Sequence, residues 1–354
     1  RGTRRRRNLQ NESTLVDREA LVNTTDASSA DRPGVVSPEA RTALIDQYDC
    51  LLLDLDGVVY RSKDAVPNAV EAIQAARDRG IRSMFVTNNA SRAAADVAAH
   101  LCEFGLDVSA ADVITSSMVA AQLLRDTIGG TCTVLPVGGP GLAATLRAAG
   151  FTLVTSATDV PAAVVQGYGP DVGWKNLAEA GYAIQAGALW VATNTDATIP
   201  TARGFAPGNG QLVAAVRAVA GKDPLVAGKP EPAPFWQAAA AAGGSAPLVV
   251  GDRLDTDIAG GKAAGHATVL VLTGVDRTDS LLAAAPQRRP TYIVPDLSAL
   301  FEPAPDGDII RGNDEDSDPD PCDLLRATCA LLWQEQDRGG APPAVSPRVR
   351  RLLP

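Results

Sequence analysis

From residue 48 onward, short apolar runs rich in Leu, Val and Ile alternate with Ala-rich stretches of helical length, and several of these runs stop at an acid or an amide. The runs at 51–55, 83–87, 133–138, 162–167, 188–193, 247–251, 268–273 and 291–294 have the length and residue content of strands. Helical patterns fill 67–79, 91–104, 116–126, 141–149, 174–187, 210–220, 233–242 and 257–264. A strand that is apolar throughout must be buried on both faces, and the helices between such strands supply the cover. The pattern therefore predicts an α/β protein built on parallel sheets.

The chain has 354 residues, enough for two cores. Apolar content of 45% and charged content of 21% suit a globular chain, and no apolar run is long enough for a membrane span. A formal charge of -9 argues against nucleic acid, whose binding depends on Lys and Arg meeting phosphate. Five cysteines are scattered without a C-x-x-C pair, which argues against a zinc site or redox dithiol and fits a reducing cytoplasm. With only His100 and His266 in the chain, histidine chemistry has almost no material to work with. Carboxylates must do the work.

The stretch LLLDLDGVVY places Asp54 and Asp56 at i and i+2, on one face of a strand end, before a turn at Gly57. Two like charges side by side oppose each other's ionisation unless a cation neutralises them. At the carboxyl end of a parallel strand, where α/β sheets bind ligands, one aspartate can attack phosphorus while its neighbour handles the leaving-group proton. Mg²⁺ would shield the incoming phosphate. FVTNNASR ends another strand in Thr87, Asn88 and Asn89, with a helix predicted to start at Ser91; these groups could hold a phosphoryl group, although Asn and Ser are also ordinary caps. In VAGKPEPAP, Lys229 is pinned between Gly228 and Pro230; most lysines lie on the surface, but a fixed one would balance the acids. LVVGDRLDTDI delivers Asp252 at a further strand end, then Asp255 and Asp257. A helix cap would explain Asp257 but not Asp252, and Asp54, Asp252 and a backbone carbonyl would suffice for Mg²⁺. VGGPGLAA (137–144) fits a dinucleotide fingerprint at Gly139, Gly141 and Ala144, but no acid follows at the expected place, so a nicotinamide cofactor is not expected.

In order along the chain, DLDGVVY, VTNN, GKP and GDRLDTDI resemble the motifs of the haloacid dehalogenase-like phosphatases over about residues 48–296. VTNNAS, ATNTDATIP, PGNG and GDRLDTDI resemble the NagD and 4-nitrophenylphosphatase-like branch, and within it the actinobacterial glycerol 3-phosphate phosphatases. The resemblance implies a Rossmann-like core and a Mg²⁺-dependent phosphomonoester hydrolase working through an aspartyl phosphate. Asp54 would be nucleophile and Mg²⁺ ligand. Asp56 would be the general acid and base and bind Mg²⁺ through its backbone carbonyl. Thr87 and Asn88, with Asn89, would hold the phosphoryl group. Lys229 would stabilise it and orient Asp54. Asp252 would be the remaining Mg²⁺ carboxylate, supported by Asp257 and by the turn at Gly57.

Spacing adds a lid. Asp54 and Thr87 are 33 residues apart, one strand-helix-strand unit with a short flap, whereas 142 residues separate Thr87 from Lys229. The surplus, 131–227, should fold as a cap, in this family a C2-type cap, inserted into a catalytic core of 46–130 and 228–300. Its stretch 190–210 is the candidate substrate-facing loop. Residues 1–45, opening on RGTRRRRNLQ, are expected to be a disordered extension. Residues 301–354 are expected to be an acidic linker and a helical tail with Leu325, Cys329 and Leu332 or Trp333 on one stripe. The acidic run fails as a calcium loop, with Pro319 where Gly belongs and Leu325 where Glu belongs.

The expected partner is a small phosphorylated metabolite, glycerol 3-phosphate first, without nucleic acid or membrane, in a chain that pairs through its cap. Alternatives are 2-phosphoglycolate, pyridoxal 5′-phosphate or a sugar phosphate as substrate, or a non-catalytic phosphometabolite-binding protein. Asp56 counts against a dehalogenase, since a halide leaves without a proton.

Overall fold

The computed structural model describes residues 15–16, 42–201, 203–303, 320–339 and 344–345. Six parallel strands form the first sheet, in the order Tyr292–Val294, Ala267–Val271, Pro247–Gly251, Cys50–Leu53, Arg82–Thr87, Val113–Thr115. Cys50–Leu53 and Pro247–Gly251 are buried at every position, as strands covered on both sides must be. Neighbouring residues then point to opposite faces. Leu51 and Leu53 pack with Ile73 and Ala76 of the helix Ala69–Asp78 and with Val97 and Leu101 of the helix Ala94–Glu103. Leu52, with Met84 and Val86, faces Phe235 and Ala238 of the helix Ala233–Ala242 and Val119 and Leu124 of the helix Ser116–Ile128.

Between Ser116–Ile128 and Ala233–Ala242 the chain builds a second sheet, also all parallel, ordered Leu225–Val226, Leu189–Ala192, Ala163–Gln166, Thr133–Val137, Thr152–Leu153. One face, with Leu135, Val164 and Trp190, buries against the helices Trp174–Gln185 and Asn209–Ala220. The other face, with Val134, Val165 and Val191, continues into the apolar layer under the first sheet. Trp190 is the largest fully buried side chain and still satisfies its indole N–H, which donates to Gln166 Oε1 at 3.1 Å. Truncating it to Ala would cost about 3–5 kcal/mol. Two antiparallel hairpins leave the sheets, Tyr60–Arg61 with Asp64–Ala65 and Thr198–Thr201 with Gly204–Pro207.

A separate smaller unit gathers the short helix Thr278–Leu282 and the tail helix Pro321–Asp337. Asp320 caps the tail helix through the N–H groups of Cys322 and Asp323, Pro321 sits where no donor is needed, and Trp333 Nε1 donates to Leu281 O at 3.2 Å. Its buried side chains include Leu325, Cys329 and Leu332, the stripe expected from sequence. Apart from Leu15–Val16, which pairs with Ala344–Val345 in this unit, residues 1–41 lie outside the described residues, as does the acidic run 304–319.

Candidate active site

Strand register explains the convergence of the acids. Val250 pairs with Leu53, and Leu53 with Phe85, so three adjacent central strands end at the same level. Asp252, Asp54 and Thr87 emerge there, at the carboxyl edge where parallel α/β sheets bind ligands. Lys229 arrives from the loop before Ala233–Ala242, with its Nζ 2.5 Å from Asp54 Oδ1, 2.6 Å from Asp257 Oδ1 and 3.1 Å from the carbonyl of Val86. Its side chain is 3% exposed. The surface fate usual for lysine does not apply here.

Asp257 is held twice, accepting from Lys229 and from the Arg253 N–H at 3.2 Å. It reaches the site from a wide π-helical turn, Leu254–Ile258, and Gly251 leaves the space, since a Cβ there would fall 2.1 Å from that of Asp257. Asp252 sits in a cradle: a Cβ on Gly57, whose φ is +86°, would lie 2.4 Å from its Oδ2, and one on Gly274 would lie closer still. Oδ2 accepts from the Val275 N–H at 2.6 Å, while the buried Oδ1 has no hydrogen-bond partner.

Asp54, Asp252 and Asp257 offer carboxylate oxygens within 4.8 Å of one another. Three acids face one ammonium, a deficit of two positive charges. Burial pushes the pKa of Asp54 up against the pull of Lys229, and that of Asp252 well up, with Asp54 and Asp257 adding to the push. Burial raises Asp257 to about 6 despite Lys229. For Lys229 burial alone would favour loss of the proton, but Asp257 and Asp54 more than offset it and hold the ammonium charged. A buried unpartnered carboxylate oxygen, hard oxygen donors and a twofold charge deficit fit a small divalent cation. The residues that would hold it are Asp54 and Asp252, with the backbone carbonyl of Asp56. Asp257 belongs to the same cluster, but one of its oxygens is taken by Lys229.

Asp56 is the exposed acid of the set, yet partial desolvation of its carboxyl raises its pKa, against the pull of Lys229, Arg92 and His100. Thr87 is buried, and its Oγ1 accepts the N–H of Asn89 at 3.1 Å. The Asn88 side chain, expected to hold phosphate, is engaged elsewhere. Its Oδ1 accepts the Lys229 N–H at 2.8 Å, and its Nδ2 donates to the Lys229 carbonyl at 3.0 Å. Asn89 is exposed and holds Ser91, accepting from its N–H at 2.9 Å and its hydroxyl at 2.7 Å.

That Asx turn corrects one expectation: the helix starts at Ala94, not Ser91. The Ala93 N–H then goes to Asp96 Oδ2 at 3.3 Å, so free helix-start amides do not follow directly on Asn89. The glycines of VGGPGLAA find a different use. Gly141 N–H donates to Ser91 O at 3.1 Å, and a Cβ on Gly141 would strike Arg92 carbonyl carbon at 2.4 Å. They let one backbone segment press on another. Sequence inspection missed Asp196 and Asn194 as site residues, although both fall in the stretch 190–210.

The matches to known protein families cover the segments that carry Asp54, Asp56, Lys229, Asp252 and Asp257. A model of haloacid dehalogenase-like hydrolases matches residues 51–152, and a HAD-hydrolase-like model matches 226–300. The chain belongs to the haloacid dehalogenase-like hydrolase family. It is 49% identical over 260 residues to the D-glycerol 3-phosphate phosphatase of Mycobacterium tuberculosis, covering 73% of each chain. It is 34% identical over 253 residues to the 5′-nucleotidase YutF of Bacillus subtilis, covering 71% of this chain and 96% of that one. Among solved structures, the glycerol phosphate phosphatase of M. tuberculosis in complex with magnesium superposes with a TM-score of 0.80 at 43% identity, over 88% of this chain and 98% of that chain. The p-nitrophenyl phosphatase of Archaeoglobus fulgidus gives 0.67 at 29% identity, over 72% and 99%.

Proposed function

We propose that this protein is a Mg²⁺-dependent phosphomonoester hydrolase with glycerol 3-phosphate as its substrate. The observation that carries the chemistry is Lys229, buried between Asp54 and Asp257 beside the unpartnered Oδ1 of Asp252. Similarity to the M. tuberculosis glycerol phosphate phosphatases supports the substrate. Bound Mg²⁺ supplies charge to offset the acids and the phosphate.

The chain's own residues divide the remaining work. The Asp54 carboxylate, aligned by Lys229, forms a bond to phosphorus as the ester P–O bond breaks. Asp56, at the solvent edge with a raised pKa, passes its proton to the departing alcohol. It then takes a proton from the water whose oxygen displaces Asp54, which releases inorganic phosphate and returns both acids to their starting state. Thr87 and Asn89 contact the phosphoryl group, and Asn88 contributes through its backbone. The second sheet with its helices serves as the C2-type cap, and 190–210 as its substrate-facing loop. Five scattered cysteines with no C-x-x-C pair support a cytoplasmic setting. Exposed Trp174, Tyr182 and Val219 on adjacent cap helices support pairing of two copies there, checked by sedimentation of W174A/Y182A against the unchanged protein. Among the described residues no helix is long and apolar enough to cross a membrane.

The test is phosphate release with and without Mg²⁺ from glycerol 3-phosphate, 2-phosphoglycolate, pyridoxal 5′-phosphate, nucleoside monophosphates, sugar phosphates and 4-nitrophenyl phosphate. Mg²⁺-dependent release with preference for glycerol 3-phosphate is expected. Preference for another ester replaces the substrate and keeps the chemistry, and no release from any ester sinks the enzyme.

A further inference from the structure

Lys229 Nζ is set by two carboxylates, but its backbone is set by Asn88, and Asn88 is itself gripped from the inserted unit. Asp196 lies on the loop between the strand Leu189–Ala192 and the hairpin strand Thr198–Thr201. Both of its carboxylate oxygens are 3.2 Å from Asn88 Nδ2. We infer that Asp196, with Asn194, is a positioning residue for phosphoryl transfer, acting through the Asn88 carboxamide on Lys229. The inference rests on the phosphatase reading above.

A carboxamide has a donor end and an acceptor end, and Asn88 must present both correctly to clasp the Lys229 backbone. Asp196 and the Lys229 carbonyl can only accept, and the Lys229 N–H can only donate. A flipped Asn88 would aim its oxygen at two acceptors and its NH₂ at a donor. Asp196 therefore fixes the orientation in which Asn88 holds Lys229. Among the described residues the Asp196 carboxylate accepts from no other group, so it does not act as a cap within its own loop.

Asn194 locks the other side. Its Nδ2 donates to the Asn88 carbonyl at 2.7 Å, where the Ser116 hydroxyl also donates at 2.7 Å. Its Oδ1 accepts the Asp196 N–H at 3.2 Å, and its carbonyl accepts Asn209 Nδ2 at 2.7 Å. Gly228 completes the fit: a Cβ there would lie 2.4 Å from Thr193 O and 2.5 Å from Asn88 Oδ1. One continuous hydrogen-bonded path thus runs from the cap loop, through Asn88, to the lysine that orients Asp54.

The experiment compares Asp196→Ala, Asp196→Asn, Asn88→Ala and the double variant N88A/D196A on 4-nitrophenyl phosphate with Mg²⁺, alongside a crystal structure of D196A. D196A should lower kcat about ten- to a hundred-fold with little change in KM, because sub-ångström misplacement of a reacting group acts on the chemical step. D196N, which keeps an acceptor oxygen, should recover most of that loss. N88A/D196A should be no slower than N88A alone, since Asp196 works only through Asn88. A loss in the double variant equal to the product of the single losses, or a change confined to KM, would overturn the proposal and make Asp196 a substrate or loop residue. So would a D196A structure in which Lys229 Nζ still bridges Asp54 and Asp257. If the unaltered protein hydrolyses no ester, the phosphatase reading fails, while the D196A structure still decides whether Asp196 positions Lys229.

Discussion

Lys229→Met tests the electrostatics of the site most directly. Methionine keeps most of the volume of the lysine stem, so the change removes charge and little packing. The loss leaves Asp54, Asp252 and Asp257 within 4.8 Å with no cation among them. Breaking a buried ion pair by deleting one partner costs about 3–5 kcal/mol, a large part of the ~5–15 kcal/mol that holds a typical domain together. The sign of the pH dependence follows from the same acids. Burial already raises Asp257 to about 6, with Lys229 pulling against that shift, so deleting Lys229 raises the folded-state pKa further. Between the unfolded value of about 3.9 and that raised value, the folded state binds more protons than the unfolded one, and stability falls as pH rises. The deficit of K229M against the unaltered protein should be largest near about pH 8 and shrink toward about pH 5. Urea denaturation followed by tryptophan fluorescence across that range measures it. Mg²⁺ should also narrow the deficit by supplying the missing positive charge to the folded state alone. A deficit that is flat with pH, or below about 1 kcal/mol at neutral pH, would refute Lys229 as the counter-charge of this cluster.

Asp54→Asn should abolish Mg²⁺-dependent phosphate release while circular dichroism and melting temperature show an intact fold; retained turnover would exclude Asp54 as nucleophile. Gly228→Ala forces a methyl into the space of Thr193 O and Asn88 Oδ1, so it should cost about 1–3 kcal/mol by thermal denaturation and slow turnover together. Asp49 caps the approach to Cys50–Leu53, accepting from Ser245 N–H at 2.6 Å, Ser245 Oγ at 2.7 Å and Ala246 N–H at 3.0 Å. Burial works against the charge, but these donors together outweigh it and lower the pKa. Its stabilisation is present above the unfolded pKa and lost as pH falls through the folded value. Asp49→Asn should therefore cost about 1 kcal/mol at neutral pH, discounted for its exposure, and nothing in strong acid.

Acids that end apolar runs are anomalies a sequence displays openly, which is why Asp54 and Asp252 stand out in the bare string of residues. The strands that carry them are equally visible, because burial on both faces writes an unbroken apolar run. Thr152–Leu153 and Leu225–Val226 escaped notice because two residues are too few to carry that signal, and Val113–Thr115 was missed although Tyr292–Val294, equally short, was read. The helix expected at Ser91 illustrates a different limit: Asn89 can cap a helix or make an Asx turn with Ser91, and only packing chooses. The Asn88 carboxamide lies furthest from local rules. A Thr-Asn-Asn strand end invites the assignment of all three side chains to phosphate. The partners that take up Asn88 lie 108 and 141 residues away, at Asp196 and at Lys229. Spacing set aside 190–210 as a loop expected to face the substrate, yet nothing in spacing shows that its one acid, Asp196, accepts a hydrogen bond from Asn88. An acid that ends an apolar run breaks the rules of the strand that bears it and can be recognised on its own. A residue that only positions others obeys local rules, so it becomes recognisable when its partners are brought within hydrogen-bond reach.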